Sequence, residues 1–360
     1  MPDFHTLTIG SIQREANETL HITLDVPEEL SATFAFSQGQ YLTFSAQLDG
    51  TEIRRSYSIC AAVGEPLAVA IKYIQGGAFS EYAHTHFKPG QPVQVSAPEG
   101  SFFTQLDPQH QKRYLLIAAG SGITPILSIA KTTLTTEPDS QVTLLYGNKR
   151  SNDIIFRDQL SWLKNRHMSR FQWINIFSRE AQDAPILNGR INNQKGQELN
   201  GRLIDIASYD EFFLCGPEGM ISEVARGLRA LGIPDAHIHY ELFFASAEDA
   251  REAIARHEQR AAQYAGLTSN MRVRSAGREV AFQLPADGEN ILDSALAQGL
   301  DLPFSCKGGV CATCKAKLVH GQVEMDLNHA LSEEEVAQGF ILTCQSHPVS
   351  KEVLVDYDVI

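Results

Sequence analysis

A chain of 360 residues is long enough for two or three domains, and 43% hydrophobic with 20% charged residues excludes a mostly disordered polypeptide. Its 30 Lys and Arg stand against 43 Asp and Glu, a formal net charge of −13. That balance argues against nucleic acid or an anionic membrane as the main partner, because both select a basic face. Residues 1–5 carry neither a basic nor an apolar leader pattern, and the most apolar stretch, 114–130, is broken by Gly120, Gly122 and Pro125. The expectation is a cytoplasmic protein with no membrane span.

Residues 1–106 read as short strands. Leu20, Ile22, Leu24 and Val26 alternate with His21, Thr23 and Asp25, and 67–74 and 92–96 look similar between Gly and Pro punctuation. Regular short strands predict a small antiparallel barrel or sandwich. Within it, Arg54-Arg55-Ser56-Tyr57-Ser58-Ile59 ends a strand-like region. An aromatic flanked by Arg and Ser can stack on a flat ring while the polar groups hold phosphates or ring carbonyls. An ordinary half-exposed strand has the same pattern. Gly76-Gly77-Ala78-Phe79-Ser80 suits a phosphate cradle at a helix start, or a plain turn.

Between 113 and 245 strands alternate with helices, which predicts a parallel α/β sheet. Candidate strands are 114–119, 142–146, 173–177, 212–215 and 237–242, with helical patterns at 156–163 and 217–231. Ala119-Gly120-Ser121-Gly122-Ile123-Thr124-Pro125 follows the first strand, where a helix N-terminus can hold a pyrophosphate. Thr124 is the expected N-cap and Pro125 the expected first helical residue. The segment is not the G-x-G-x-x-G fingerprint, and a tight turn also accounts for it. Cys60 and Cys215 are isolated in apolar surroundings and read as buried small hydrophobes.

Residues 246–268, rich in Ala, Glu, Arg and Gln, are predicted to be a partly helical linker. A third domain, 269–360, begins with a hairpin over 272–284 turning near Gly277, then a helix over 291–298. Cys306, Cys311, Cys314 and Cys344 follow with C-x4-C-x2-C-x29-C spacing, the plant-type pattern for a [2Fe–2S] cluster. Lys307-Gly308-Gly309-Val310 is small enough for backbone N–H groups to approach the sulfurs. Structural zinc normally takes paired C-x2-C or Cys/His knuckles, and Rieske ligation needs two His. This region holds 7 Lys and Arg against 13 Asp and Glu, a net −6 that suits steering toward a basic patch on an electron acceptor. A solvated acidic surface that only keeps the domain soluble has the same composition.

Together these motifs resemble the ferredoxin–NADP reductase superfamily, in a form with a C-terminal ferredoxin domain, over essentially the whole chain. The resemblance implies an antiparallel flavin-binding barrel over 1–106, an NAD(P)-binding α/β domain over 113–245 and a β-grasp ferredoxin domain over 269–360. Arg55-Ser56-Tyr57-Ser58 is similar to the flavin motif R-x-Y-S, which implies Tyr57 against the isoalloxazine and Arg55 near the phosphates. Gly76, Gly77 and Ser80 resemble the pyrophosphate-binding G-G-x-x-S, which favours FAD over FMN. Gly120, Gly122, Thr124 and Pro125 match G-x-G-x-T-P, the nicotinamide-nucleotide loop. Cys215-Gly216-Pro217 matches C-G-P, which turns Cys215 into a site residue near the nicotinamide. Glu241 and Phe243 resemble the acidic and aromatic pair that closes the nucleotide domain beside the flavin.

Ser178 and Arg179 follow a predicted strand where family members bind the adenosine ribose, and a cation with a hydroxyl suits the 2′-phosphate of NADPH. The implied reaction passes a hydride from NADPH to FAD and then single electrons to the cluster. No paired carboxylate–histidine iron site is evident, so electrons reaching the cluster must leave for a partner. Domain order and residues 306–315 resemble the reductase subunits of phenylacetyl-CoA epoxidases, which implies a di-iron oxygenase as partner. Reductases of Rieske-type or other oxygenases and of a hybrid-cluster protein have similar architecture. A redox-sensing electron-storage module is the non-enzymatic alternative.

Overall fold

The computed structural model describes residues 3–48, 51–74, 77–241, 247–300, 302–304, 308–309, 312–328 and 330–359, with backbone alone at 51, 52 and 247–254. The chain divides into two compact units, residues 1–73 with 78–242 and residues 74–77 with 243–360.

The first unit opens with β1 (Phe4–Glu15), β2 (Thr19–Asp25), β3 (Tyr41–Leu48), β4 (Thr51–Ser58) and β5 (Ala68–Lys72), followed by α1 (Ala78–His86) and β6 (Pro92–Ser96). In β2 the alternation works as expected, with Leu20, Ile22 and Leu24 buried and Asp25 exposed. The six strands form an antiparallel sheet in the order β4-β3-β6-β1-β2-β5. Its two edges meet: Ile59 bridges Val69, and the Cys60 N–H donates to the Ala68 carbonyl at 2.9 Å. Closure into a barrel removes both exposed edges.

The same unit continues with β7 (Arg113–Ala119), α2 (Ile123–Thr136), β8 (Gln141–Asn148), α3 (Arg157–Arg166), β9 (Phe171–Phe177), α4 (Asn193–Leu199), β10 (Glu211–Cys215), α5 (Glu218–Ala230) and β11 (Ile238–Glu241). The parallel sheet runs β11-β10-β7-β8-β9. Chain order therefore reverses between β7 and β10. Residues 114–118 are all buried, as a central strand covered on both faces requires. Helix α2 reaches the barrel through Ser128 Oγ, which donates to the Ala61 carbonyl at 2.6 Å, and Thr132 Oγ1, which accepts from Val63 N–H at 3.1 Å. Lys131 pairs with Glu65 on the same loop. Thr124 and Pro125 depart from expectation. A 3-10 turn over Gly120–Gly122 starts the helix early, so Gly122 is the N-cap. Thr124 lies inside the first turn, where its hydroxyl donates to the Ser121 carbonyl at 3.1 Å.

The second unit contains α6 (Ala247–Gln263), β12 (Thr268–Ser275), β13 (Arg278–Pro285), α7 (Ile291–Ala297), β14 (Lys315–His320), β15 (Val323–Met325), α8 (Glu333–Ala337), β16 (Phe340–Leu342), β17 (Ser346–Pro348) and β18 (Glu352–Asp356). Five strands form a mixed sheet in the order β13-β12-β18-β14-β16, and β15 pairs with β17 separately. Ile291, Leu292 and Ala295 of α7 are buried in a core with Met271, Val273, Val353 and Val355, a β-grasp arrangement. The expected linker is a 17-residue helix whose C-terminal half buries Arg260 in this unit.

One buried carboxylate locks the end of α2 to its surroundings. Glu137, fully buried, accepts from Tyr114 Oη (2.8 Å), Ser140 Oγ (2.7 Å) and Asp107 N–H (3.2 Å), with His110 Nδ1 at 2.8 Å. Glu137→Ala strands these partners and is expected to cost about 3 kcal/mol of stability, read from urea unfolding.

Candidate functional site

Barrel and parallel sheet present their functional candidates at adjoining edges within the first unit. On the barrel side, antiparallel pairing of β3 with β4 sets Tyr41 opposite Ser58, Leu42 opposite Tyr57 and Thr43 opposite Ser56. The half-buried Tyr57 ring is backed by Phe44 (centroids 5.9 Å) and Phe79 (5.8 Å). Burial pushes the Tyr57 hydroxyl well above the ordinary phenol range, so it stays protonated. Ser56 is exposed, its hydroxyl 2.9 Å from that of Thr43, and Arg55 donates to the Arg54 carbonyl at 2.7 Å. Ser80 is buried in the first turn of α1, which Gly77 directly precedes. Gly76 lies outside the described residues.

On the sheet side, parallel pairing places Cys215 between Ala118 and Glu241. These are the carboxyl ends of β7, β10 and β11, at the point where strand order reverses, where open α/β sheets bind ligands. Glycine is required at position 122, where a Cβ would overlap the Cys215 carbonyl oxygen; a Cβ at Gly216 would come within 2.8 Å of the flexible end of Met220 and 3.2 Å of Ala119. The two loops touch through bare backbone at the start of α2, a helix N-terminus of the kind that can hold a pyrophosphate. Gly120 is held from behind by Tyr146 Oη, which donates to its carbonyl at 2.9 Å. Pro217 caps α5 and is exposed.

Cys215 is fully buried, and burial followed by the Glu241 charge raises its thiol well above the free value. It is therefore a neutral packing group at this edge. Glu241 Oε2 is shielded from solvent and has no hydrogen-bond partner. Burial pushes its carboxyl up to about 8 against the opposing effect of a Ser58 hydrogen bond. Tyr41 belongs to the same group, its hydroxyl raised by burial and by Glu99 and Glu241. Sequence reading missed Tyr41; its only signal is an aromatic at a strand start after Gly39-Gln40. Phe243 lies outside the described residues.

Ser178 and Arg179 are exposed beyond the end of β9, with their N–H groups donating to the Asn148 (3.0 Å) and Lys149 (2.9 Å) carbonyls. Glu180 turns toward Ser151, accepting from its N–H at 2.9 Å and its hydroxyl at 3.0 Å. The carboxylate is thus engaged elsewhere.

In the second unit, Cys314 and Cys344 are buried. They flank the paired ends of β14 and β16, and Thr343 ties them: its N–H (3.3 Å) and hydroxyl (2.9 Å) both reach the Cys314 carbonyl. Tyr357 Oη lies 2.6 Å from the same hydroxyl. Two buried thiols at adjoining strand ends fit the donor chemistry of an iron–sulfur cluster. Cys306 and Cys311 lie outside the described residues. Two concavities stand apart from all these groups. One of about 390 Å³ on the barrel is lined by residues including Phe4, Tyr82 and Phe87, and one of about 280 Å³ by Arg256, Gln259, Glu324 and Asp326.

Three known domain families match the chain: the oxidoreductase FAD-binding domain over residues 6–103, the oxidoreductase NAD-binding domain over 116–226 and the 2Fe-2S iron-sulfur cluster binding domain over 273–349. The chain is 44% identical over 360 residues to one of the subunits of the 1,2-phenylacetyl-CoA epoxidase of Escherichia coli (strain K12), with 99% of each chain covered. It is 31% identical over 359 residues to the 3-ketosteroid-9-alpha-monooxygenase, ferredoxin reductase component, of Mycolicibacterium smegmatis, covering 98% of this chain and 96% of that one. Among solved structures, phthalate dioxygenase reductase shares the fold with a TM-score of 0.51 at 23% identity, covering 98% of both chains.

The raised Glu241 pKa has a stability consequence. Between about 4.5 and 8 the folded protein holds a proton that the unfolded chain releases, so stability falls as pH rises through this window. Glu241→Gln is expected to remove that falling limb, on the order of 4 kcal/mol between pH 5 and 9, read from urea unfolding across that range.

Proposed function

We propose that this chain, which belongs to the FAD- and NAD-binding oxidoreductases with a C-terminal [2Fe–2S] domain, draws electrons from NADPH and delivers them to the oxygenase component of a phenylacetyl-CoA epoxidase. The reductase chemistry is common to the family. Coenzyme, partner and residue roles are the proposal. The observation that carries it is the 44% identity across 99% of the chain to an epoxidase component, against 31% to a steroid monooxygenase reductase of the same domain order.

Bound FAD and a [2Fe–2S] cluster convert a hydride's electron pair into single electrons, and the chain supplies placement and protons. On this reading Arg55, Ser56, Tyr57 and Ser58, with Gly76, Gly77 and Ser80, hold the flavin. Tyr57 offers a neutral aromatic face that cannot ionise near neutral pH. Gly120, Gly122, Thr124, Pro125, Gly216 and Pro217 receive the nicotinamide nucleotide, with Gly122 letting the backbone of both loops approach. Glu241 keeps a proton on its carboxyl at neutral pH beside Ser58, so the edge between barrel and sheet carries no fixed negative charge to oppose hydride arrival. Cys215 fills the floor of this edge, and the family resemblance assigns Phe243 to the flavin side of the nucleotide domain. Cys306, Cys311, Cys314 and Cys344 supply four thiolates to the cluster. The assignment divides the chain into a flavin domain (1–106), a nucleotide domain (113–245) and a ferredoxin domain (269–360), in the cytoplasm. Among the described residues no helix is long and apolar enough to cross a membrane.

NADPH is favoured over NADH because Arg179 and Ser178 extend past β9 while the neighbouring Glu180 carboxylate is bound to Ser151. Arg179→Ala is expected to raise the KM for NADPH roughly tenfold with the NADH value unchanged; an unchanged NADPH KM removes the assignment. Reconstitution tests the partner. NADPH, oxygen and this protein, added to a phenylacetyl-CoA epoxidase oxygenase with phenylacetyl-CoA, are expected to give epoxide in step with coenzyme oxidation. Oxidation without epoxide removes the partner and leaves the reductase.

A further inference from the structure

Helix α6 reads in sequence as a tether, with few large apolar residues, yet it carries the bulkiest fully buried side chain among the described residues, Arg260. Burying a guanidinium costs several kcal/mol unless its donors are satisfied. Here they are. Nε donates to the Ala286 carbonyl at 3.0 Å, Nη1 pairs with Asp326 Oδ1, and Nη2 reaches Asp326 Oδ2 at 3.3 Å and His257 Nδ1 at 3.1 Å. Asp326 is fully buried as well, and His347 Nε2 lies 3.0 Å from its Oδ2. A hydrophobic replacement of such a cluster is often neutral or stabilising, so stability alone does not explain it.

What the cluster does have is a direct line to one of the four cysteines. The Asp326 N–H donates to the Gln345 carbonyl at 2.8 Å, and Gln345 Nε2 donates to the Cys344 carbonyl at 3.2 Å. Asp326 directly follows β15, whose Met325 pairs with Ser346 of β17, two residues after Cys344. Met325 Sδ also accepts from the Leu342 N–H at 3.4 Å, two residues before it. The segment bearing Cys344 is thus gripped on both sides by β15, and β15 is anchored to α6 by the planar fork of Arg260. Resting on the reading that Cys344 is a cluster ligand, we propose that Arg260 is a positioning residue for the iron–sulfur cluster, acting through Asp326 on the backbone of Cys344. The helix before the ferredoxin domain is then part of the electron-transfer module.

The same logic distinguishes charge from geometry. Lys keeps the charge at 260 but loses the fork, so Arg260→Lys is expected to behave like Arg260→Gln. The experiment uses the full chain with flavin and cluster bound. Expected for both variants are an altered EPR line shape of the reduced cluster, a shifted midpoint in a dye-mediated redox titration, and roughly tenfold faster release of iron to a ferrous chelator. NADPH-driven ferricyanide reduction through the flavin stays at the parent rate. If the single variants do not fold, the paired variant Arg260→Met with Asp326→Leu removes both charges without leaving one unpaired, and the same three readouts apply to it. A folded variant with parent line shape, midpoint and iron release overturns the proposal. Absence of iron and of any reduced-cluster EPR signal in the parent chain overturns the cluster reading itself, a separate outcome.

Discussion

The contact of Gly122 with the Cys215 carbonyl is the constraint on which the first unit turns. It joins the carboxyl ends of β7 and β10 where strand order reverses, and it tolerates no side chain. Because the two backbones meet there, α2 starts at Ile123 and aims its first turn at the switch point. The far face of α2 then meets the barrel through Ser128, Lys131 and Thr132. One close approach thereby fixes the helix that meets the barrel edge.

Charge is handled consistently along that edge. Tyr41, Tyr57, Cys215 and Glu241 are all driven by burial toward their protonated forms. On the proposed reading a nicotinamide, which loses a formal positive charge on reduction and regains it on hydride transfer, would meet neutral dipoles at this edge in both oxidation levels. Arg55, next to this group in β4, and the exposed Arg179 beyond β9 carry permanent charge.

Much of this was legible in the sequence because the relevant signals are local. Alternation in β2, the buried run of β7 and the small residues around Gly122 each reflect one element's own requirement. Cysteine spacing is similarly explicit. What escaped reading depends on partners distant in the chain. Thr124 looked like an N-cap because its suitability is local, whereas the helix start is set by Cys215, more than ninety residues on. Tyr41 gains meaning only from its pairing with Ser58 and its proximity to Glu241. Arg260 was one Arg in a polar helix until Asp326 supplied its counter-charge.

The position of β18 bears on how the second unit is assembled. This strand lies inside its sheet, parallel to β12 on one side and antiparallel to β14 on the other. Pairing Asn270 with Glu352 closes a loop of about eighty residues, and that loop contains all four cysteines of the ferredoxin pattern. Loop-closure entropy must be met before such a pairing yields any contact energy, which makes high-contact-order sheets slow to form. On the proposed cluster reading, completing the sheet and bringing the four-cysteine segment to its final place therefore belong to one late, long-range closure.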